Sequence, residues 1–282
     1  MFHEGKFCTN LRPPKSLFHV VFSRLQSKTH QVIHLLSFLF ASFDPSDSDA
    51  LVVGLLGLSL FGFLSYWWAH YSEGIQSWVE TKWVGDRGKI VRVVALKAWG
   101  FATMGVIPAW VLHAKWGWTL EDMGVAWPQD VSAEVWGVWT ALMVSTVVLS
   151  MVAGKEGAKN YPQIRATEWS LSTMIWSGLG WTIYLAAYEF MFRGFLLFPM
   201  ASAIGTWPAV AISTMLYSVT HFHKGKGETL WCLPVGVLTC WMTVETGSLL
   251  LTVVGHVLVS WFNTAYHVRR NLNMTWVGWT RG

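Results

Sequence analysis

The chain has 282 residues, of which 53% are apolar and only 13% charged, against a usual charged share of ~25% in soluble domains. That balance excludes a disordered chain, which needs low hydrophobicity and high charge. It also leaves too little charge to cover the surface of an ordinary soluble enzyme, so a membrane protein remains. Cys8, Cys232 and Cys240 cannot build a disulfide framework and form no CxxC pair, so structural zinc held by thiolates is not expected. The formal net charge of +4 fits basic cytoplasmic loops rather than a nucleic-acid partner. No phosphate loop, dinucleotide-binding glycine run or aromatic-basic stacking surface is present.

In chain order, residues 1–30 read as a basic, flexible segment carrying Lys6, Arg12, Lys15, Arg24 and Lys28. Its basic stretch is too long for a signal peptide. Residues 31–153 read as N-terminal transmembrane helices. Val32–Phe43 is short for a span, since a bilayer core of about 30 Å needs roughly 20 helical residues. Leu51–His70 carries no acidic residue, Lys or Arg, and the preceding DPSDSDA supplies Asp and Ser for a helix N-cap. Val91–Leu112 carries Lys97, which is expected to snorkel toward an interface. Val135–Ala153 is free of formal charge. Ser170–Gly205 is long enough for one extended or broken crossing. Trp207–Phe222, Leu230–Val244 and Gly247–Tyr266 complete the apolar set. Residues 268–282 read as a basic tail.

Basic loops alternate with neutral ones along this order. Lys82, Arg87, Lys89, Lys155, Lys159, Arg165, Lys224 and Lys226 fall on the same side as the basic termini. The positive-inside rule then gives about eight crossings with both termini cytoplasmic. Many of the 20 tryptophans lie near span ends, among them Trp67, Trp78, Trp116 and Trp127, as an interfacial aromatic belt requires. The fold class is an all-α, polytopic transmembrane bundle without internal repeats.

Ionisable residues inside spans cost about 2.5–3.5 kcal/mol each on insertion scales and mark functional sites. They concentrate in the second half of the chain. Glu189 and Arg193 in YEFMFRG stand at i, i+4, with Glu on the favourable N-terminal side. Gly194 allows close approach of a neighbour. Tyr217 and His221 also share a face, whereas His221 and His223 at i, i+2 cannot chelate from one helix. His256, Ser260 and Asn263 make one helical stripe. Glu, His and His/Asn on three separate spans can converge on one polar pocket suited to activating water, directly or through a metal. Each feature also has a structural explanation: an ion pair that sets helix register, or polar side chains bonding between helices.

The ordered set Glu189-x-x-x-Arg193-Gly194, Tyr217-x-x-x-His221, Lys224-Gly-Lys-Gly-Glu228, Thr246-Gly247-Ser248-Leu249 and His256 resembles the CPBP intramembrane proteases. That family includes the type II CAAX prenyl endopeptidases and bacterial Abi proteins. The resemblance covers residues 170–267. It implies a helical domain whose motif residues face a water-accessible cavity, and hydrolysis of a peptide bond in a membrane-associated protein or peptide. Carried over, Glu189 and His221 activate water, His256 with Ser260 or Asn263 stabilises the oxyanion, and Arg193 orients Glu189. A divalent metal such as zinc, held by Glu189, His221 and His256, and a metal-free glutamate mechanism both stay open. The sequence departs from the family pattern at two places: Tyr188 stands where the first of two adjacent glutamates is common, and Ser260 stands where Asn or Asp usually follows the late His. Tyr188 motivates a second reading, a non-proteolytic membrane scaffold or bacteriocin-immunity-type binding protein. A proton-coupled transporter is a third, but it lacks the inverted repeat of that class. The expected partners are the lipid bilayer and a membrane-associated substrate, with no nucleic acid. The expected location is a bacterial inner membrane.

Overall fold

The computed structural model describes Asp44 and residues 46–278; Val32–Phe43 and the basic N-terminal segment lie outside the described residues. The described chain is almost wholly helical. Helix α1 spans Ser48–Tyr71, α2 Glu73–Lys82 and α3 Asp86–Phe101; a widened turn at Ala102–Val106 leads into α4, Ile107–Trp116. Helix α5 spans Ala133–Asn160 and α6 Leu171–Glu189; a second widened turn at Phe190–Phe195 leads into α7, Leu197–Ile204. Helices α8 (Thr206–Val219), α9 (Lys226–Thr246) and α10 (Leu250–Arg270) follow. Each apolar run read from the sequence within the described residues is a helix.

Helix starts follow the local chemistry. Asp47 caps α1 through a side-chain acceptor to the Asp49 N–H at 2.9 Å. Ser132 and Ser170 cap α5 and α6 in the same way. Four helical segments among the described residues are long and apolar enough to cross a membrane: Ser48–Tyr71, Asp86–Trp116, Ala133–Val152 and Leu171–Ile204. The chain is an integral membrane protein. The last of these segments is the long, broken crossing expected from Ser170–Gly205.

The break has a definite form. The Leu196 N–H donates to the Met191 carbonyl at 3.0 Å, an i→i+5 bond that inserts one extra residue into the turn. A π turn disturbs the regular hydrogen-bond ladder, and in a membrane interior each backbone group still needs a partner. Ser213 on α8 meets part of that need by donating to the Phe192 carbonyl at 2.8 Å. The turn at 102–106 is built in the same way, with the Ile107 N–H bonded to the Ala102 carbonyl. The two turns pack against each other, and α3 packs along α6.

Two glycines allow the close approaches around these turns. A Cβ at Gly62 would stand 2.6 Å from the Thr103 carbonyl, which belongs to the first widened turn. The Thr103 hydroxyl donates back to the Gly62 carbonyl at 3.3 Å. At Gly194, a Cβ would meet the Met123 carbonyl at 2.6 Å. Gly194 therefore admits the 117–132 loop rather than a neighbouring helix.

That loop clamps the α9–α10 corner. The Ser248 hydroxyl donates to the Ala126 carbonyl at 2.5 Å, and the Leu249 N–H donates to the Gly124 carbonyl at 3.0 Å. Gly247 turns the corner at φ +62°, a conformation glycine adopts without a Cβ penalty. The Thr-Gly-Ser-Leu motif thus sets the start of α10, the helix that carries His256. On the other side of the bundle, Glu168–Trp169 (β1) pairs in parallel with Thr275–Trp276 (β2). Asp86 accepts from the Thr167 and Glu168 N–H groups and the Thr167 hydroxyl at 2.8–2.9 Å. Within the basic tail, residues 275–276 are thereby tied to the segment before α6.

Lys97 corrects one expectation. It does not snorkel: it is 1% exposed, and its Nζ lies 2.9 Å from the centroid of a Trp181 ring. Lys97 stands eleven residues into its helical segment, or ~16 Å from that end at 1.5 Å per residue, too far for the side chain to reach water. Gly180 makes room for it, since a Cβ there would meet the Lys97 Cδ at 2.9 Å.

The helix-turn packing yields a controlled prediction. Gly62→Ala drives a methyl group into a backbone carbonyl and is expected to destabilise the protein by about 1–3 kcal/mol. Gly57→Ala on the same helix meets nothing within 4 Å and is expected to leave stability unchanged or slightly raised. Equilibrium unfolding in detergent compares the two directly.

Candidate active site

Glu189 is the last residue of α6, at the threshold of the π turn, and it is 2% exposed. Its carboxylate is divided between two partners. Oε1 accepts from His256 Nδ1 at 2.5 Å. Oε2 lies 3.1 Å from Arg193 Nη1, a close ion pair that falls short of an aligned hydrogen bond. Arg193, 1% exposed, sits within the π turn and is held on its other edges. Its Nη2 and Nε donate to the Thr239 hydroxyl of α9 at 2.8 and 3.3 Å. Its Cζ lies 4.0 Å from the centroid of the Tyr217 ring, on α8. A buried carboxylate and guanidinium each carry a desolvation cost that only mutual pairing and further hydrogen bonds offset. Here α6, the π turn, α8, α9 and α10 all contribute to that offset.

His221 follows the end of α8, and its ring packs on Tyr217 with centroids 4.9 Å apart, as the i, i+4 spacing required. Its Nδ1 is 2.9 Å from the Tyr217 carbonyl. A carbonyl only accepts, so Nδ1 carries the proton and Nε2 keeps a lone pair. The same reasoning applies to His256, whose Nδ1–H donates to a carboxylate oxygen. Both imidazoles therefore offer Nε2 as a base or acceptor.

Tyr188 stands between them. Its ring centroid lies 6.2 Å from that of His221 and 5.9 Å from that of His256. Its hydroxyl pairs with the Thr220 hydroxyl at 2.5 Å, and Thr220 donates on to the Tyr217 carbonyl at 2.6 Å. The residue in place of the first motif glutamate is thus a buried spacer, committed to a structural hydrogen bond.

Glu189, Arg193, His221, His256, Ser260 and Asn263 all line one cavity of about 920 Å³. The stripe His256–Ser260–Asn263 faces it as expected. The structure extends the stripe by one turn to His267, which is buried and lines the same cavity. The i+4 step from Asn263 made His267 recoverable from the sequence. Thr239 and Thr220, the hydroxyls that hold Arg193 and Tyr188, carried no such signal. The far wall of the cavity comes from α5, through Trp139, Leu142, Met143 and Leu149. Trp139 pins α5 to α10 by donating to the Leu251 carbonyl at 2.8 Å. Lys224 of the KGKGE motif pairs with Glu228 at 2.7 Å across the first turn of α9, and His223 packs against Trp67 rather than joining His221.

The donor set does not fit a metal at Glu189, His221 and His256. Both carboxylate oxygens already serve His256 and Arg193, and the guanidinium sits where a cation would bind. His256 turns Nδ1 toward the carboxylate instead of sharing an ion with it. Among the described residues no three His, Cys, Asp or Glu side chains gather as a metal-holding group.

Residues 170–262 match the family of the Rce1-like type II CAAX prenyl endopeptidases. The match covers about a third of the chain and bears out, at family level, the CPBP resemblance carried by the motifs. It includes Glu189, Arg193, His221, His256 and Ser260, and it stops one residue before Asn263. No curated protein and no solved structure matches the chain.

The buried charge cluster makes a stability prediction. Arg193→Met leaves the Glu189 carboxylate without its cation and is expected to cost about 3–5 kcal/mol. Adding Glu189→Gln to it removes the uncompensated charge, so the double variant is expected to be more stable than Arg193→Met alone. Unfolding of the wild type, Arg193→Met, Glu189→Gln and the double variant in detergent measures the coupling.

Proposed function

We propose that this protein is an intramembrane endopeptidase of the CPBP type, hydrolysing a peptide bond in a membrane-associated protein or peptide. The observation that carries the proposal is the 2.5 Å contact between Glu189 and His256 at the wall of a cavity large enough for a peptide segment. Glu189 fixes the Nδ1–H tautomer of His256 and stabilises the imidazolium that forms when Nε2 takes a proton, as the carboxylate does in other catalytic dyads and triads. Arg193 keeps that carboxylate ionised and in place. A water molecule gives its proton to His256 Nε2, and the resulting hydroxide adds to the scissile carbonyl carbon. The C–N bond then breaks as His256 returns the proton to the amide nitrogen. His221 Nε2 accepts a hydrogen bond from the other O–H of the attacking water, which stays on the nucleophile, and orients it. Ser260 and Asn263, one and two turns along α10, supply donors to the substrate backbone and the developing oxyanion. The base role that the family pattern gives to its first glutamate passes to His256, backed by Glu189, and this accommodates Tyr188.

We place both termini in the cytoplasm, on the distribution of Lys and Arg. A second reading, a non-proteolytic binding protein, is favoured by one observation: the Tyr188 hydroxyl is bonded to Thr220 and takes no part in activating water.

Cleavage of a membrane-presented peptide library by the purified protein in lipid separates the two. Wild type is expected to release products, and Glu189→Gln to slow release by about 10³–10⁴ per folded molecule. Tyr188→Phe removes only the spacer's hydrogen bond and is expected to slow release by less than about tenfold, below the usual contribution of a general base. No products from wild type would favour the binding-protein reading. Full activity in Glu189→Gln would overturn the site.

A further inference from the structure

His221 and His256 each border two cavities. Beside the large one lies a smaller cavity of about 90 Å³, lined from α1 by Tyr66 and His70, from α6 by Trp181, Tyr184 and Tyr188, and from the 161–163 segment by Gln163. Three polar atoms on its lining residues are buried without a hydrogen-bond partner: His70 Nδ1, Gln163 Oε1 and Trp181 Nε1. Unpaired buried groups of this kind cost about 1–3 kcal/mol each. Their chemistry is mixed: the indole only donates, the amide oxygen only accepts, and the imidazole nitrogen does either. Water is the ligand that satisfies such a set. Cavities that stay dry are apolar, and at about 30 Å³ per molecule this one holds about three waters. No carboxylate lines it, which disfavours a cation, and the one ammonium at its edge, Lys224, is paired with Glu228 at 2.7 Å.

We propose that the small cavity is a built water site that supplies the hydrolytic water to His221 and His256 from the side opposite the substrate. The hydrolytic part rests on the endopeptidase reading; the water site does not. A peptide filling the large cavity covers Glu189 and His256 from that side. The small cavity reaches the same two histidines past the Tyr188 ring, so substrate and water arrive by separate routes. On this account Gln163, His70 and Trp181 are positioning residues that act through water. Tyr188 is the partition between the two compartments, a role that a glutamate at this position would not fill.

Hydroxyl-radical footprinting of the full-length protein in lipid nanodiscs, without substrate, tests the water site, because radicals generated from bound water modify the side chains beside it. Trp181 and Tyr184 are expected to be modified several-fold faster than Trp169, a fully buried indole that donates to the Ala166 carbonyl and lines neither cavity. Gln163→Leu and His70→Leu are expected to slow that modification and leave Trp169 unchanged. Modification of Trp181 and Tyr184 no faster than Trp169 in the wild type would overturn the water site, whatever the variants do. The peptide-library assay tests the hydrolytic role: the two variants are expected to lower kcat several-fold with KM unchanged. Unchanged kcat in a variant that has lost the footprint would overturn that role. A wild-type footprint without cleavage by any form would overturn the endopeptidase reading and the hydrolytic role with it, and leave the water site standing.

Discussion

One carboxylate organises the second half of this protein. Glu189 is buried deep in an apolar bundle and survives there as an ion because Arg193 and His256 take one oxygen each. Neither partner is placed by simple helix geometry. Arg193 reaches Glu189 from within a widened turn, and the Thr239 hydroxyl and the Tyr217 ring hold its remaining surface. His256 reaches it from α10, whose start is fixed by the Gly247 corner and the clamp of the 117–132 loop. If the carboxylate is removed, the guanidinium loses its counter-charge and the imidazole its tautomer. The need to satisfy this one group explains why five segments of the chain meet where they do.

The first half of the described chain serves that centre indirectly. The widened turn at 102–106 nests against its counterpart at 190–195, and Gly62 brings α1 close enough to brace it. Helix α5 is the exception. It packs chiefly against α10, is mostly exposed, and closes the large cavity with apolar side chains. Tyr188 gives the site its individuality. Where the family pattern carries a second carboxylate, this chain carries a ring wedged between two imidazoles.

Much of this was legible in the sequence, for reasons that can be named. Long apolar runs became helices because a chain in lipid must satisfy its own backbone. The i, i+4 pairs Glu189–Arg193 and Tyr217–His221 both meet, although Arg193 sits inside the widened turn and His221 just past the end of α8. The stripe of His256, Ser260 and Asn263 faced one cavity because these spacings fall on one side of an α-helix. The misses share a different character. The π turn has no local signature in FMFRGF; it is visible only through its i→i+5 bond and the Ser213 hydroxyl that meets a turn carbonyl. Thr239 and Thr220 act across helices, and nothing in their neighbourhoods announces a partner. Lys97 does not snorkel because that depends on depth, and the helix that carries it begins at Asp86, five residues before the apolar run that opens at Val91. Glu189 has the right chemistry for a metal, but its two oxygens face His256 and Arg193, and no local pattern in the sequence shows that.

In the proposed mechanism Glu189 acts through His256, and the proton on His256 reports it most directly. ¹⁵N NMR of the histidine-labelled protein in lipid, with assignment by single substitutions, resolves which imidazole nitrogen carries hydrogen. The account predicts a protonated Nδ1 on His256, with a proton shifted far downfield by the carboxylate, and loss of that signal in Glu189→Gln while His221 keeps its own Nδ1–H. A wild-type His256 protonated at Nε2, or one indifferent to Glu189→Gln, would contradict it.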